Sequence, residues 1–142
     1  MTRLLYVALA PLTLSLAVAA IQDPVRVQSG AVSGEAGKDA TVHAYKGIPY
    51  AAPPVGDLRW KKPQVPAAWQ GTKQATEFPK ACVQAAYPQN SIYYRPPEPM
   101  SEDCLYLNIW TAAQSGKERR PVMVWVHGGG FTRGSGSVAT DV

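Results

Sequence analysis

The stretch that constrains the fold most is "PVMVWVHGGGFTRGSG", residues 121–136, in which an uninterrupted apolar run ends at a histidine followed by three glycines. Continuous hydrophobicity over residues 122–127 predicts a strand buried on both faces, as in an α/β sheet covered by helices. Glycine loses more backbone freedom on folding than any other residue, so three in a row cost stability. Without Cβ atoms, their N–H groups can converge on a ligand. The stretch therefore predicts a buried strand that leads into an anion-binding loop.

Two kinds of anion site use converging N–H groups: a phosphate cradle and an oxyanion hole. The sequence lacks G-x-x-x-x-G-K-[ST], and Arg133 occupies the last place of a G-x-G-x-x-G pattern that would begin at Gly128 and Gly130. In α/β-hydrolases, a strand ends in an HGGG-type loop whose N–H stabilises a tetrahedral intermediate. The motif thus favours an oxyanion hole. In isolation it is also compatible with a glycine-rich turn that has no function.

The first twenty residues, "MTRLLYVALAPLTLSLAVAA", have the pattern of a secretory signal peptide. One positive charge, Arg3, precedes an apolar run that ends in small residues suited to cleavage. The alternative is a membrane anchor, but Pro11 interrupts the run and its length is marginal for a spanning helix. We therefore expect residues 1–20 to be removed. Residues 21–142 then form part of a secreted or periplasmic protein without a membrane segment.

Export implies an oxidising compartment, in which the two cysteines, Cys82 and Cys104, are expected to form a disulfide. The alternative is two buried free thiols. A zinc site is disfavoured, because the two histidines, His43 and His127, are not at ligand spacing. The net charge is +4, and the densest basic group, residues 117–120, contains a glutamate and reads as a solvated loop. We expect no cofactor, no metal and no nucleic-acid partner.

The rest of the chain is β-rich and contains no convincing amphipathic helix. "VRVQSGAVSG" alternates around Gly30 and predicts a hairpin, and "VHAYKGIPYA" continues the strand pattern. The proline-rich stretch "AAPPVGDLRWKKPQVPAAWQG" excludes helix and central strand. Its large apolar side chains, Leu58, Trp60 and Trp69, predict an ordered arm wrapped over a core. An Ω-type loop between the cysteines and a strand over residues 105–111 follow.

Four blocks, in order, carry a family resemblance. They are "YKGIPYAAPPVGDLRWKKP", the cysteine of "ACVQ", "SEDCLYLNIWT" and "PVMVWVHGGGFTRGS". On these blocks the chain resembles the N-terminal part of a type B carboxylesterase, the cholinesterase-like branch of the α/β-hydrolases. The resemblance implies an α/β fold. This chain would contribute the N-terminal β-hairpin, the extended proline-rich arm, the disulfide Ω-loop and the first strands of the central sheet.

The resemblance also implies roles for individual residues. Gly129 and Gly130 would donate two N–H groups to an oxyanion. His127 would shape this loop and is not the histidine of the catalytic triad. The two cysteines match the first disulfide loop of the family. Arg59 and Glu102 match an ion pair that ties the proline-rich arm to that loop, and burial beneath the arm would make this pair more important.

The disulfide loop bears on the substrate. In cholinesterases this loop carries a tryptophan that holds a quaternary ammonium by cation–π contact. Here the loop has no tryptophan, and Tyr93 and Tyr94 lie nearest that position. Either these tyrosines line a substrate pocket, or they only fill the loop. A general carboxylesterase acting on short acyl or aryl esters therefore fits better than a choline esterase.

The implied mechanism is two-step acyl transfer by a serine, a histidine and an acidic residue. The serine should lie in G-x-S-x-G, and the sequence contains no such motif. We therefore expect a secreted serine esterase of which this chain is an N-terminal fragment that lacks the triad and is inactive alone. Two alternatives are a non-catalytic cholinesterase-like adhesion or binding module, and a small secreted β-rich binding protein.

Overall fold

The computed structural model describes residues 21–137. The predicted signal peptide, residues 1–20, lies outside the described part, as do residues 138–142. Across residues 21–137, no helix has the length and hydropathy needed to cross a bilayer. The regular elements of the described part are eight short strands and one 3₁₀ turn at Gly56–Leu58. The strands are β1 (Val25–Val27), β2 (Gly30–Ser33), β3 (Glu35–Ala36), β4 (His43–Pro49), β5 (Thr72–Gln74), β6 (Ala81–Cys82), β7 (Met100–Ser101) and β8 (Tyr106–Thr111).

These strands form three small sheets. β1 and β2 form the predicted antiparallel hairpin, and β5 adds to β2 in parallel. The second sheet has the order β3-β4-β8, with both pairs antiparallel. The third sheet is a parallel pair, in which Ala81 lies opposite Met100 and Cys82 opposite Ser101. This third sheet brings the two ends of the cysteine loop together.

The core lies where the hairpin meets the strand β4. Val32 and Ala75 are each 1% exposed, and Tyr45 and Ile48 pack with them. Trp69, at the end of the proline-rich arm, packs against this cluster and donates its indole N–H to the carbonyl of Ala31 at 2.8 Å. The predicted hairpin, the strand that follows it and the packing of Trp69 are therefore confirmed.

Strand β8 pairs along most of the length of β4, and this confirms the strand predicted over residues 105–111. The pairing slips between Tyr45 and Ile48. Gly47 lies in the slip with φ 69°, and its N–H donates to Asn108 Oδ1 at 2.9 Å. The side-chain amide of Asn108 thus satisfies a backbone donor that the irregular ladder leaves free.

Two expectations about burial are wrong. Trp60 was expected to pack, but it has φ 60° in the turn after the 3₁₀ segment and is 96% exposed. The apolar run of residues 122–127 was expected to form a strand buried on both faces. It lies outside any strand, and Trp125, at 55% exposed, is the least exposed member of its apolar part. A strand forms only where another strand completes its hydrogen bonds, and none of the described residues pairs with this run.

Candidate functional site

The glycine loop, defined here as residues 127–137, folds back on itself, so that residues 127–129 lie against residues 133–134. Gly129 has φ 129° and Gly134 has φ 114°, conformations that residues with a side chain rarely adopt. A Cβ on Gly129 would overlap the carbonyl group of Arg133. A Cβ on Gly134 would overlap the carbonyl oxygen of Gly128 and the ring of His127. Glycine at these two positions therefore allows the backbone of residues 128–129 to lie directly against that of residues 133–134.

The middle of this turn leaves donors available. Thr132 donates both its N–H and its hydroxyl to the carbonyl of Gly129, each at 3.1 Å, and so closes the turn. Within residues 21–137, the N–H groups of Gly129 and Gly130 donate to no other group. A Cβ built on Gly130 would meet nothing within 4 Å. Adjacent, unused N–H groups are the donors that an oxyanion site requires, and the space beside them is open at Gly130 but filled by the carbonyl of Arg133 at Gly129.

The disulfide loop, defined here as residues 82–104, lies beside the glycine loop. Cys82 and Cys104 are bonded, as predicted, with 5.1 Å between their Cα atoms. The loop they close has little regular structure between β6 and β7. Side chains of this loop contact the glycine loop.

A cavity of about 270 Å³ lies between these two loops. His127, Gly128 and Trp125 line one side of it, and Tyr87 and Tyr93 line the other. The rings of these two tyrosines are 5.9 Å apart and tilted, as aromatic pairs prefer. Tyr93 thus lies where a substrate group beside the glycine loop could reach it. Tyr94 is not among the lining residues; it is half-buried, and its N–H donates to the carbonyl of Ser91 at 3.0 Å.

Three side-chain contacts join the two loops. The first is the side-chain amide of Gln84, which bonds both the N–H and the carbonyl of Gly134. The second is Arg133, whose guanidinium lies 4.4 Å from the ring centroid of Tyr87. The third is the carboxylate of Glu98, which accepts hydrogen bonds from the hydroxyls of Ser135 and Ser137 at 3.0 and 2.6 Å.

Reasoning from the sequence missed these three contacts. Gln84 is the last residue of "ACVQ", so it lay inside a block that had already been singled out for its cysteine. Nothing in the local pattern marks Glu98 or Arg133, because each meets its partners far along the chain. Glu98 bonds Ser135, 37 residues away. Arg133, whose guanidinium lies on the ring of Tyr87, also bonds the carbonyl of Ala86, 47 residues away.

The ion pair between Arg59 and Glu102 is formed, with 2.7 Å between guanidinium nitrogen and carboxylate oxygen. The two side chains are 50% and 49% exposed. The exposed Trp60 next to Arg59 does not cover them. An exposed pair of this kind contributes about 0–1 kcal/mol. It joins the proline-rich arm to the disulfide loop but stabilises that junction only slightly.

No cluster of three or more histidine, cysteine, aspartate or glutamate side chains suited to a metal occurs within residues 21–137. The two pKa shifts of buried groups lie away from the site. Burial, followed by the field of Asp23, raises the pKa of Tyr45 to about 12. Burial, followed by a hydrogen bond with Asp103, raises the pKa of Tyr106. These groups belong to the packing of the sheets.

The chain is similar in sequence and in fold to known proteins. Residues 22–142 match the model of the carboxylesterase family. The chain is 50% identical over 111 residues to the fumonisin B1 esterase of Sphingopyxis macrogoltabida, covering 78% of this chain and 19% of that protein. It is 49% identical over 107 residues to acetylcholinesterase-1 of Trittame loki, covering 73% of this chain and 19% of that protein. The crystal structure of the Geobacillus stearothermophilus carboxylesterase aligns with a TM-score of 0.64 at 43% identity, covering 80% of this chain and 21% of that structure.

These matches define the fold as that of the α/β-hydrolase esterases. The chain belongs to the carboxylesterase family, as its four sequence blocks predicted. It spans about a fifth of the length of the relatives it matches.

Proposed function

We propose that this chain supplies the oxyanion loop of a secreted carboxylic ester hydrolase that works through an acyl-serine intermediate. The observation that carries the proposal is the pair of unused N–H groups at Gly129 and Gly130. These two residues do not line the cavity of about 270 Å³, but Gly128, which directly precedes them, does. Because the chain belongs to the carboxylesterase family, we infer that this pair stabilises the oxyanion of ester hydrolysis. Ester hydrolases of this family act on small ester substrates.

The chemistry follows from where negative charge develops. A serine hydroxyl attacks the carbonyl carbon, and the carbonyl oxygen becomes an oxyanion to which the N–H groups of Gly129 and Gly130 donate. A histidine takes the proton of the serine and later gives it to the leaving alkoxide. Water then releases the acid from the acyl-enzyme by the same steps. Removing one oxyanion donor typically costs about 2.7–4 kcal/mol of transition-state stabilisation.

The nucleophile must come from polypeptide outside these residues. The 142 residues contain no G-x-S-x-G. We do not assign His127 as the base, because it stands in the HGGG motif, whose histidine shapes the loop in the family, and its ring packs against Gly134. We therefore assign His127 to the shape of the loop. The 142 residues alone are expected to be inactive.

The substrate is proposed to be a short acyl or aryl ester. Tyr87 and Tyr93 line the cavity on the side of the disulfide loop, which contains no tryptophan, while Trp125 lines the other side. The guanidinium of Arg133 already lies 4.4 Å from the ring centroid of Tyr87, so a second cation beside this ring would be repelled. Tyrosine rings pack well against apolar acyl and aryl groups, whereas tryptophan is the stronger binder of a quaternary ammonium. We expect p-nitrophenyl acetate and phenyl acetate to be turned over with a higher kcat/KM than acetylcholine.

The test uses the product of the complete reading frame that contains this sequence, expressed with its leader. We expect it to hydrolyse p-nitrophenyl acetate and to lose this activity to a serine-directed phosphonylating agent. Gly130→Ala strains a residue with φ 60° and so displaces its N–H group. It should lower kcat by about a hundredfold with little change in KM. Gly116→Ala is the matched control, since a Cβ there meets nothing within 4 Å.

The same preparation tests export, because the N-terminus of the secreted or periplasmic protein is expected at or near Ile21. An exported product that is folded but neither turns over esters nor reacts with the phosphonylating agent would contradict the enzyme proposal. That result would favour the non-catalytic binding or adhesion module. Activity left intact in the Gly130→Ala variant would instead refute the role assigned to this glycine.

A further inference from the structure

We propose that Gln84 is a positioning residue of the oxyanion loop: its side-chain amide clamps Gly134 and so fixes the N–H groups of Gly129 and Gly130. The inference rests on the proposed function for its catalytic consequence. Its structural part rests only on contacts within residues 82–134. Gln84 is half-buried between the disulfide loop and the glycine loop.

The first step is the clamp. Gln84 Nε2 donates to the carbonyl of Gly134 at 2.9 Å, and Gln84 Oε1 accepts from the N–H of the same residue. Nε2 also donates to the carbonyl of Cys82 at 3.0 Å. Both hydrogens of the amide and its oxygen are therefore engaged. A side chain with all these groups in use is held in one orientation. It fixes the backbone of Gly134 at both its N–H and its carbonyl.

The second step carries this restraint to the oxyanion donors. Gly134 lies so close to the carbonyl oxygen of Gly128 and the ring of His127 that a Cβ would overlap both. Gly129 lies equally close to the carbonyl of Arg133. The two arms of the turn are thus in backbone contact, so a shift of Gly134 must displace the residues that lead into Gly129. Close-packed groups of this kind transmit small displacements.

The third step separates Gln84 from the other two contacts between the loops. Glu98 bonds side-chain hydroxyls, at Ser135 and Ser137, which follow the turn. Arg133 reaches the disulfide loop through its own flexible side chain, with a hydrogen bond of 3.4 Å to the carbonyl of Ala86. Of these contacts, only the one from Gln84 holds the main chain of the residue that packs against Gly128 and His127.

The consequence is specific to the transition state. An oxyanion forms only after the serine has attacked, so displaced donors weaken its stabilisation more than they weaken substrate binding. Loss of Gln84 should therefore lower kcat and leave KM nearly unchanged. Gln84 itself lines the cavity, but its amide is fully engaged with main-chain groups of Cys82 and Gly134, so it offers the substrate no free hydrogen-bonding group. The tyrosine side of the cavity makes no hydrogen bond with this amide.

The experiment uses the product of the complete reading frame and compares Gln84→Ala, Gln84→Glu and the control Gln64→Ala. Gln64 also donates its amide to a backbone carbonyl two residues away, but it lies exposed in the proline-rich arm. We expect Gln84→Ala to lower kcat at least about tenfold, a fraction of the loss of a whole donor. Affinity for a trifluoromethyl ketone, which mimics the tetrahedral intermediate, should fall by the same factor. KM should stay within twofold.

Gln84→Glu adds a readout that a merely structural role would not produce. As a carboxylate, Glu can accept from the N–H of Gly134 but faces the carbonyl of Gly134 with a second negative oxygen. When protonated, it can again donate to that carbonyl. The ratio of variant to wild-type kcat should therefore rise as the pH falls towards about 5, near the carboxyl pKa. A ratio that does not change with pH, or a kcat for Gln84→Ala equal to that of Gln64→Ala, would overturn the proposal.

A second measurement does not need activity. Hydrogen exchange in peptides covering residues 127–137 should be faster in Gln84→Ala than in the wild type and unchanged in Gln64→Ala. If the wild type hydrolyses no ester, the proposed function fails, and faster exchange would still establish the clamp. If the wild type is active and exchange in Gln84→Ala is unchanged, the clamp fails and the proposed function stands.

Discussion

At the scale of single residues, Tyr45 illustrates how burial and chemistry conflict. Its side chain is 3% exposed, and its hydroxyl has no hydrogen-bond partner within residues 21–137. The nearby carboxylate of Asp23 acts on the phenol through its charge and, more weakly, as an acceptor outside normal hydrogen-bond geometry, while its oxygens accept from Ser33 and from the N–H of Gly34. The ring contributes packing, whereas the hydroxyl is desolvated with little compensation.

We therefore predict that Tyr45→Phe leaves the free energy of unfolding at pH 7 unchanged or raises it by about 1 kcal/mol.

At high pH the stability advantage of Tyr45→Phe over the wild type should grow. The folded pKa is about 12 against an ordinary value of 10.0, so the unfolded chain ionises first, and the wild type loses stability as the pH rises from 10 to 12. Denaturant unfolding at pH 7, 9 and 11 measures this, with the exposed Tyr50→Phe as control. A loss of more than about 2 kcal/mol in Tyr45→Phe at pH 7 would show that the hydroxyl has a partner.

At the scale of elements, the sequence predicted those structures whose cause is local. Alternation of apolar and polar residues marked the hairpin and β8, and proline density marked the arm. The same reasoning was wrong for residues 122–127, because an apolar run reports burial only if something covers it. It also could not find the clamp at Gln84. That contact joins residues 50 apart, and it depends on how two irregular loops lie side by side.

At the same scale, the disulfide is the covalent bond that closes the first of these two loops. A bond between residues separated by 22 positions restricts the unfolded chain by about 3 kcal/mol in the chain-entropy model. We predict that replacing both cysteines by serine in the complete product lowers the free energy of unfolding by about this amount. Guanidinium unfolding curves measure it when midpoint and m-value are fitted together, because a less restricted unfolded chain exposes more surface and raises the m-value.

The same double variant should lose ester hydrolysis at denaturant concentrations where the rest of the protein is still folded. The reason is that Gln84 lies two positions from Cys82 and bonds its carbonyl. Activity and tryptophan fluorescence that decline together in the variant, as in the wild type, would count against this local role of the disulfide.

At the scale of the whole molecule, the most informative feature is the apolar surface of residues 122–126. Val122, Met123, Val124 and Val126 are each more than 80% exposed, and Leu107 and Ile109 on β8 are 38% and 44% exposed. Exposed apolar surface of this extent marks a site of contact or a liability to aggregation. In the proposed esterase this surface would be covered by polypeptide outside the 142 residues.

We predict from this surface that the 142-residue chain, produced alone, self-associates, binds a hydrophobic dye and unfolds without a sharp thermal transition. Because it contains no G-x-S-x-G, it should also hydrolyse p-nitrophenyl acetate no faster than serum albumin. Val124→Thr, which keeps the shape but adds a hydroxyl, should have opposite effects in two settings. It should reduce association of the isolated chain, because it makes an exposed surface more polar. It should destabilise the complete esterase by about 1–3 kcal/mol, because there it would bury a hydroxyl.

Lys117→Gln, at an exposed polar position of the preceding loop, is the control that should change neither property. Sedimentation velocity and calorimetry on both forms measure the two effects. An isolated chain that is monomeric and unfolds cooperatively would mean that residues 122–126 need no cover. In that case the 142 residues would behave as a small protein that folds alone. The cavity between the glycine loop and the disulfide loop would then be the binding site of that protein, and the proposal that a nucleophile comes from further polypeptide would be weakened.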